Sequence, residues 1–138
     1  MIDLSNISEQ TEDICLEAIK QDANNFKYVD FQTPKICLEA VKSNGLLLEL
    51  VREQTEDICM EAINQNPDAF RYVEVQTPII CLEAVKGYGL LLKVVKEQTE
   101  ELCLDAVKQY GLALEYVEYQ TPDICNAAVK CAGGALKY

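Results

Sequence analysis

Residues 32–53 read QTPKICLEAVKSNGLLLELVRE, and residues 76–97 read QTPIICLEAVKGYGLLLKVVKE. The two stretches are near-copies, two 22-residue steps apart. The Gln-Thr pair that opens them recurs at Gln10-Thr11, Gln54-Thr55, Gln98-Thr99 and Gln120-Thr121. The period never slips, and six of the seven cysteines keep it. Self-similarity at a period in this range is the signature of small supersecondary units stacked in one direction.

Within each unit, the first half carries helix punctuation. Thr11 and its equivalents stand where an N-cap hydroxyl can accept from an otherwise unpaired backbone N–H. Pro34, Pro78 and Pro122 then fall at the first helical position, where a missing N–H costs nothing. Glu12, Glu56 and Glu100 occupy that position in the odd units and favour the positive end of the helix dipole. Lys20, Lys42, Lys86, Lys108 and Lys130 lie in the last turn. Gly45, Gly89, Gly111 and Gly133 follow, which suggests left-handed C-terminal caps. A shorter second helix completes the unit, with Asp22 and Asn66 as N-caps and Pro67 at a first helical position.

The expected fold is therefore all-α, an α-solenoid of two-helix 22-residue repeats forming a single repeat domain over residues 1–138. Its units run 10–31, 32–53, 54–75, 76–97, 98–119 and 120–138, after an N-terminal half-repeat at 1–9. Ile2, Leu4 and Ile7 align there with Leu46, Leu48 and Val51. At the other end, Leu136 and Tyr138 align with Leu114 and Tyr116. On a helical wheel Ile36, Cys37, Leu38, Ala40 and Val41 span roughly 200°, wide enough for a helix sandwiched on two sides. Odd units resemble odd and even resemble even, so a 44-residue pair was itself duplicated. Asn126 and Gly133-Gly134 degrade unit six, which suits a terminal cap and equally a piece cut from a longer array.

The pattern Gln-Thr-Pro/Glu-x-Ile-Cys-Leu-Glu-Ala-Val-Lys, followed by Gly-Leu-x-Leu-x-Tyr-Val, resembles a family of tandem helical repeats catalogued as a domain of unknown function. The resemblance runs from Gln10 onward, with unit six departing at Asn126 and Ala127. It implies an all-helical repeat and carries over no catalytic residue.

Composition narrows the function. The net charge of −11 opposes nucleic acid, whose binders present a basic stripe, and opposes an anionic membrane surface. It suits a basic partner. No apolar run approaches the roughly 20 residues of a membrane span, and MIDLSNISEQ lacks the features of a signal peptide, so a cytoplasmic site is expected. The cysteine ladder Cys15, Cys37, Cys59, Cys81, Cys103 and Cys125 reads as small buried residues, since stacked helices hold them too far apart for disulfides or a shared zinc. Cys131 is off register. The row Glu17, Glu39, Glu61, Glu83 and Asp105 falls on the polar arc, as a solvated face. The recurring Gln fits a side-chain amide that satisfies backbone groups of an adjacent turn. Tyr28, Tyr72, Tyr116 and Tyr138 sit on the apolar arc and are expected in the core, with their hydroxyls reaching its edge.

With no histidine, phosphate loop or nucleophile–base pair, the checklist of an enzyme is empty, and no metal or cofactor is expected. The expected role is a non-enzymatic module that binds an unidentified protein or peptide. A structural spacer without a specific ligand is the alternative, and an enzyme the remote third. Ile79, Tyr88 and Tyr110 interrupt otherwise polar positions in neighbouring units and form the candidate contact patch.

Overall fold

A computed structural model describes the backbone of residues 1–136, with side chains through Cys131. Each repeat opens on an α-helix: α1 (Glu12–Gln21), α2 (Pro34–Ser43), α3 (Glu56–Gln65), α4 (Pro78–Gly87), α5 (Glu100–Gln109) and the longer α6 (Pro122–Leu136). Between them lie 3-10 helices: η1 (Leu4–Asn6), η2 (Ala23–Tyr28), η3 (Gly45–Leu50), η4 (Pro67–Tyr72), η5 (Gly89–Val94) and η6 (Gly111–Tyr116). Among the described residues there is no strand. The chain divides into two compact bodies, Met1–Glu74 and Val75–Tyr138. In the first, α2 packs between α1 and α3, and η3 packs on η4. In the second, α5 packs between α4 and α6, and η5 packs on η6.

The α-helices start as their sequence dictates. The hydroxyls of Thr11, Thr33, Thr55, Thr77 and Thr99 each accept from the backbone N–H three residues on. Pro34 and Pro78 occupy the first helical turn. Ten residues are too few for a helix to persist alone in water, so each depends on its neighbours. The dependence shows in the buried face. In α2, Ile36, Cys37, Ala40 and Val41 are buried, and the equivalents are buried in α3, α4 and α5. Those four positions span about 140° at 100° per residue. Leu38, Met60, Leu82 and Leu104, one step further round, are only half-buried, so the arc is narrower than the sequence suggests.

The second helix of repeats one to five is 3-10 in place of α, and its core explains why. Gly45, Leu48 and Val51 are buried, as are Gly89, Leu92 and Val95. That is a spacing of three, the period of a 3-10 helix, in which residues i and i+3 eclipse. Phe26 with Val29 and Phe70 with Val73 repeat the pair. Ala69 and Ala113 are buried beside this face, but the tyrosines lie away from it. Tyr28 is 41% exposed, and Tyr72 and Tyr116 are half-buried. The core placement expected for these tyrosines is thus corrected. Lys27 lies over the Tyr28 ring at 5.0 Å and Arg71 over the Tyr72 ring at 4.9 Å, cation–π contacts that cover part of each ring. Tyr138 lies outside the described residues, as do the side chains of Gly133 to Leu136.

The glycines do not form left-handed caps. No glycine with positive φ occurs among the described residues. Each of α1 to α5 instead ends at one residue of negative φ that also starts the 3-10 helix. Asp22, Asn44 and Asn66, with φ between −152° and −150°, close α1, α2 and α3, and their side chains accept from Asn24, Leu46 and Asp68 N–H. Glycine is required at Gly45 and Gly89 for a different reason. A Cβ on Gly45 would run into the Ala62 carbonyl oxygen of the next repeat, and one on Gly89 would lie 2.8 Å from the Ala106 carbonyl oxygen. In repeat six the turn does not form and α6 continues through Gly133 and Gly134. Ala132, a strong helix former, stands there where the other repeats turn.

The half-repeat is stitched on by Asn25, a buried polar residue. Its Oδ1 accepts from Leu4 N–H at 3.1 Å, and its Nδ2 donates to the Ile2 and Ala18 carbonyls at 3.1 and 3.0 Å. Leu4 is buried at the place Leu48 takes in repeat two.

Candidate interaction surface

From Gln10 to Gln98 the recurring glutamine braces its own repeat, whereas Gln120 Nε2 donates back to the Leu114 carbonyl at 3.2 Å. Gln10 Nε2 donates to the Tyr28 carbonyl at 2.9 Å while its Oε1 accepts from Asp30 N–H at 3.0 Å. Gln32 does the same with Leu50 and Arg52, Gln54 with Tyr72 and Glu74, Gln76 with Val94 and Lys96, and Gln98 with Tyr116 and Glu118. Each amide thus clamps the end of the 3-10 helix to the start of the α-helix. It satisfies backbone groups that the helices leave open, as expected for a residue that never varies.

The ladder thiols point at the same oxygens. Cys15 and Cys59 donate to Gln10 and Gln54 Oε1 at 3.5 Å, and Cys103 to Gln98 Oε1 at 3.6 Å. Cys15, Cys37, Cys59, Cys81 and Cys103 are buried, Cys125 is half-buried and Cys131 exposed. Burial pushes all five buried thiols above their usual pKa, and Cys59 reaches about 11, with Glu74 and Glu56 adding to the effect. A thiol held protonated is a poor nucleophile and a poor metal ligand. Among the described residues no cluster of three His, Cys, Asp or Glu side chains is placed to hold a metal. The carboxylates Glu17, Glu39, Glu61, Glu83 and Asp105 are exposed or half-buried and converge on no desolvated site.

Two kinds of joint occur within each body, and they match the 44-residue pairing. At even-to-odd joints, the Gln65 side-chain oxygen accepts from Gly45 N–H, and Gln109 Nε2 donates to the Lys86 carbonyl. The missing Cβ at Gly45 and Gly89 makes room for these amides. At odd-to-even joints, the Thr33 hydroxyl donates to Glu12 Oε1 at 2.8 Å and the Thr121 hydroxyl to Glu100 Oε1 at 3.0 Å. The Glu/Pro alternation after Gln-Thr is therefore a contact pattern between successive repeats.

Ile79, Tyr88 and Tyr110 are all exposed, at 54%, 44% and 42%. They do not form one patch. Ile79 opens α4, whereas Tyr88 directly follows its last residue, about 13 Å away at a 1.5 Å rise per residue. Tyr88 and Tyr110 occupy the same place in adjacent repeats, and the Tyr110 Cβ lies close to Gly89. Both hold the extended turn taken elsewhere by Asp22, Asn44 and Asn66, yet neither supplies a side-chain cap bond.

A second set of exposed apolar residues escaped the sequence reasoning. Phe31, Val75 and Tyr119 are 77%, 69% and 82% exposed. They precede Gln32, Gln76 and Gln120, at steps of 44 residues, whereas Glu9, Glu53 and Glu97 precede the other glutamines. The signal was the regular exchange of an apolar residue for glutamate at the position before Gln.

Residues 11–54, and again residues 33–76, match the model of a family described as a domain of unknown function, DUF4116. Each match is 44 residues long, two repeats, and the second starts one repeat after the first. Residues 11–76 are thus similar to two overlapping copies of that family's two-repeat unit. No curated protein and no solved structure matches the chain.

Proposed function

We propose that this array of domain-of-unknown-function repeats is a non-enzymatic module that binds another polypeptide, with Tyr88 and Tyr110 as anchors. One observation carries the reading. At two adjacent repeats the residue that ends the α-helix has exchanged a capping oxygen for an aromatic ring, and both residues are more than two-fifths exposed. Local rules are broken where a surface serves something other than the fold. Tyrosine is enriched at binding hot spots because it offers a large, rigid area and a hydroxyl at low entropy cost. Ile79, at the far end of α4, belongs to a separate contact.

The net charge of −11 favours a basic partner and disfavours nucleic acid and anionic membrane. Among the described residues no helix is long and apolar enough to cross a membrane. The test compares affinity capture by the wild-type protein and by the Tyr88→Ala, Tyr110→Ala double variant. Loss of two hot-spot rings should weaken a specific partner at least about thirtyfold, with far-UV circular dichroism unchanged. A partner retained at full affinity removes the tyrosine surface. The absence of any specific partner returns the protein to a spacer, whose repeat number sets a length.

A further inference from the structure

The odd-to-even joints hold a second surface, and it is built twice. In residues 1–74 a cleft of about 420 Å³ is lined by Gln10, Thr11, Glu12, Cys15, Phe31, Thr33 and Ile36, together with Ser8, Glu9 and Asp30. In residues 75–138 a cleft of about 220 Å³ is lined by Gln98, Thr99, Glu100, Cys103, Tyr119, Thr121 and Ile124. The two seven-residue sets are the same repeat positions, 88 residues apart. In both, an aromatic ring stands at the cleft, about four-fifths exposed, where the alternate joints carry glutamate. In both, a glutamate is held in place by a threonine hydroxyl of the next repeat.

We propose that the Phe31 and Tyr119 clefts are two copies of one site for the arginine or lysine side chain of a basic polypeptide. Charge selects this occupant. Glu9, Glu12 and Asp30 line the first cleft and Glu100 the second, and no cationic side chain lines either. Glu97 and Glu118 stand beside the second at the register of Glu9 and Asp30. An anionic partner is repelled, and an uncharged one leaves these carboxylates without an added counter-charge. A ring face beside a carboxylate matches a guanidinium or ammonium, which the π-system attracts from one side and the anion from the other. A carboxylate has about four acceptor sites, so the threonine bond leaves Glu12 and Glu100 able to accept more. The apolar side-chain stem would cover the ring while the charged head stays at the carboxylates. Each cleft lies at the N-terminal end of an α-helix of its own body, whereas Tyr88 and Tyr110 follow the C-terminal ends of α4 and α5. The site rests on the polypeptide-binding reading but uses none of the same residues.

The test follows backbone amide resonances of the full chain during titration with acetyl-Gly-Arg-Gly-amide, with acetyl-Gly-citrulline-Gly-amide as a neutral isostere. The arginine probe should shift resonances at residues 9–12 and 30–33 and at their equivalents 97–100 and 118–121, and the citrulline probe should not. Phe31→Ala with Tyr119→Ala, both at exposed positions, should weaken the arginine probe about two- to fivefold without changing net charge. Glu12→Gln with Glu100→Gln should weaken it as well. Tyr88→Ala with Tyr110→Ala should leave it unchanged, so the two surfaces fail or stand separately. Shifts spread over the outer carboxylates Glu17, Glu39 and Glu61 would overturn the proposal. So would equal response to citrulline, indifference to loss of the rings, or no response at tens of millimolar probe.

Discussion

Removing one glutamine brace should loosen one identifiable joint. Gln54 lies inside the first body. Its Nε2 donates to the Tyr72 carbonyl at 2.9 Å and to the Leu48 carbonyl at 3.4 Å, and its Oε1 accepts from Glu74 N–H at 3.0 Å and from Cys59 at 3.5 Å. The two short bonds dominate, because hydrogen bonds weaken towards 3.5 Å. Each contributes about 0.5–1.5 kcal/mol net, so Gln54→Leu should cost about 2 kcal/mol. For a cooperative body of this size 1 kcal/mol is about 4–8 °C, which predicts a fall in Tm of about 8–16 °C. Gln54→Glu keeps the shape but replaces the donor with an anion facing two carbonyls, so at neutral pH it should cost more than the leucine. The new carboxyl would be favoured protonated in the fold, with its pKa raised above the unfolded value near 4.3. Its stability relative to Gln54→Leu is therefore best below that value and is lost as pH rises through the folded pKa. Melting by circular dichroism gives the magnitude. Hydrogen exchange at Glu74 N–H gives the place: its protection should drop in Gln54→Leu while Arg52 N–H, bonded to Gln32, keeps its own. A leucine variant within 0.5 kcal/mol of wild type, or unchanged exchange at Glu74, would refute the account of these five glutamines as braces.

Two glycines should respond to the same substitution with opposite sign. Gly45→Ala drives a Cβ into the backbone carbonyl of Ala62 and should destabilise by about 1–3 kcal/mol in urea, whereas Gly87→Ala in α4 meets nothing within 4 Å and should stabilise by about 0.5–1 kcal/mol. Thiol labelling at pH 8 should modify Cys131 at once and Cys59 slowly. The rise of Cys59 from 9.0 to about 11 lowers its thiolate fraction about a hundredfold before burial slows access further. The same shift gives a stability contribution that is present below pH 9 and lost as pH climbs through about 11, so Cys59→Ala should flatten the alkaline limb of an unfolding profile. Fast native labelling of Cys59, or an unchanged alkaline limb, would contradict the burial.

The repeat, its phase and the starts of the α-helices were legible in the linear order of residues. They rest on local chemistry: a Thr hydroxyl three residues from the N–H it caps, a proline whose missing N–H costs nothing, an extended Asp or Asn that closes a turn. The stitched half-repeat was legible too, because Leu4 repeats the place of Leu48. The spacing of three at Gly45, Leu48 and Val51 was also present, but an apolar run so short fits α and 3-10 periods about equally well, and packing against the neighbouring helices selects between them. What lies between repeats required the tertiary structure. Gly45 looked like a helix cap because its neighbour 20 residues away, Gln65, is invisible to a local reading; only stacking brings that amide and the Ala62 carbonyl against it. The pairing of Glu12 with Thr33 spans 21 residues for the same reason. The exposed residues divide likewise. Ile79, Tyr88 and Tyr110 stood out as breaks in a polar pattern, yet the length of α4 sets Ile79 apart from the other two. Phe31 and Tyr119 stand in the sequence between an acidic residue and the recurring glutamine, and the clefts beside them exist only where one repeat meets the next. A repeat sequence encodes its unit directly, but joints arise from residues a whole repeat apart, and the surface is made at the joints.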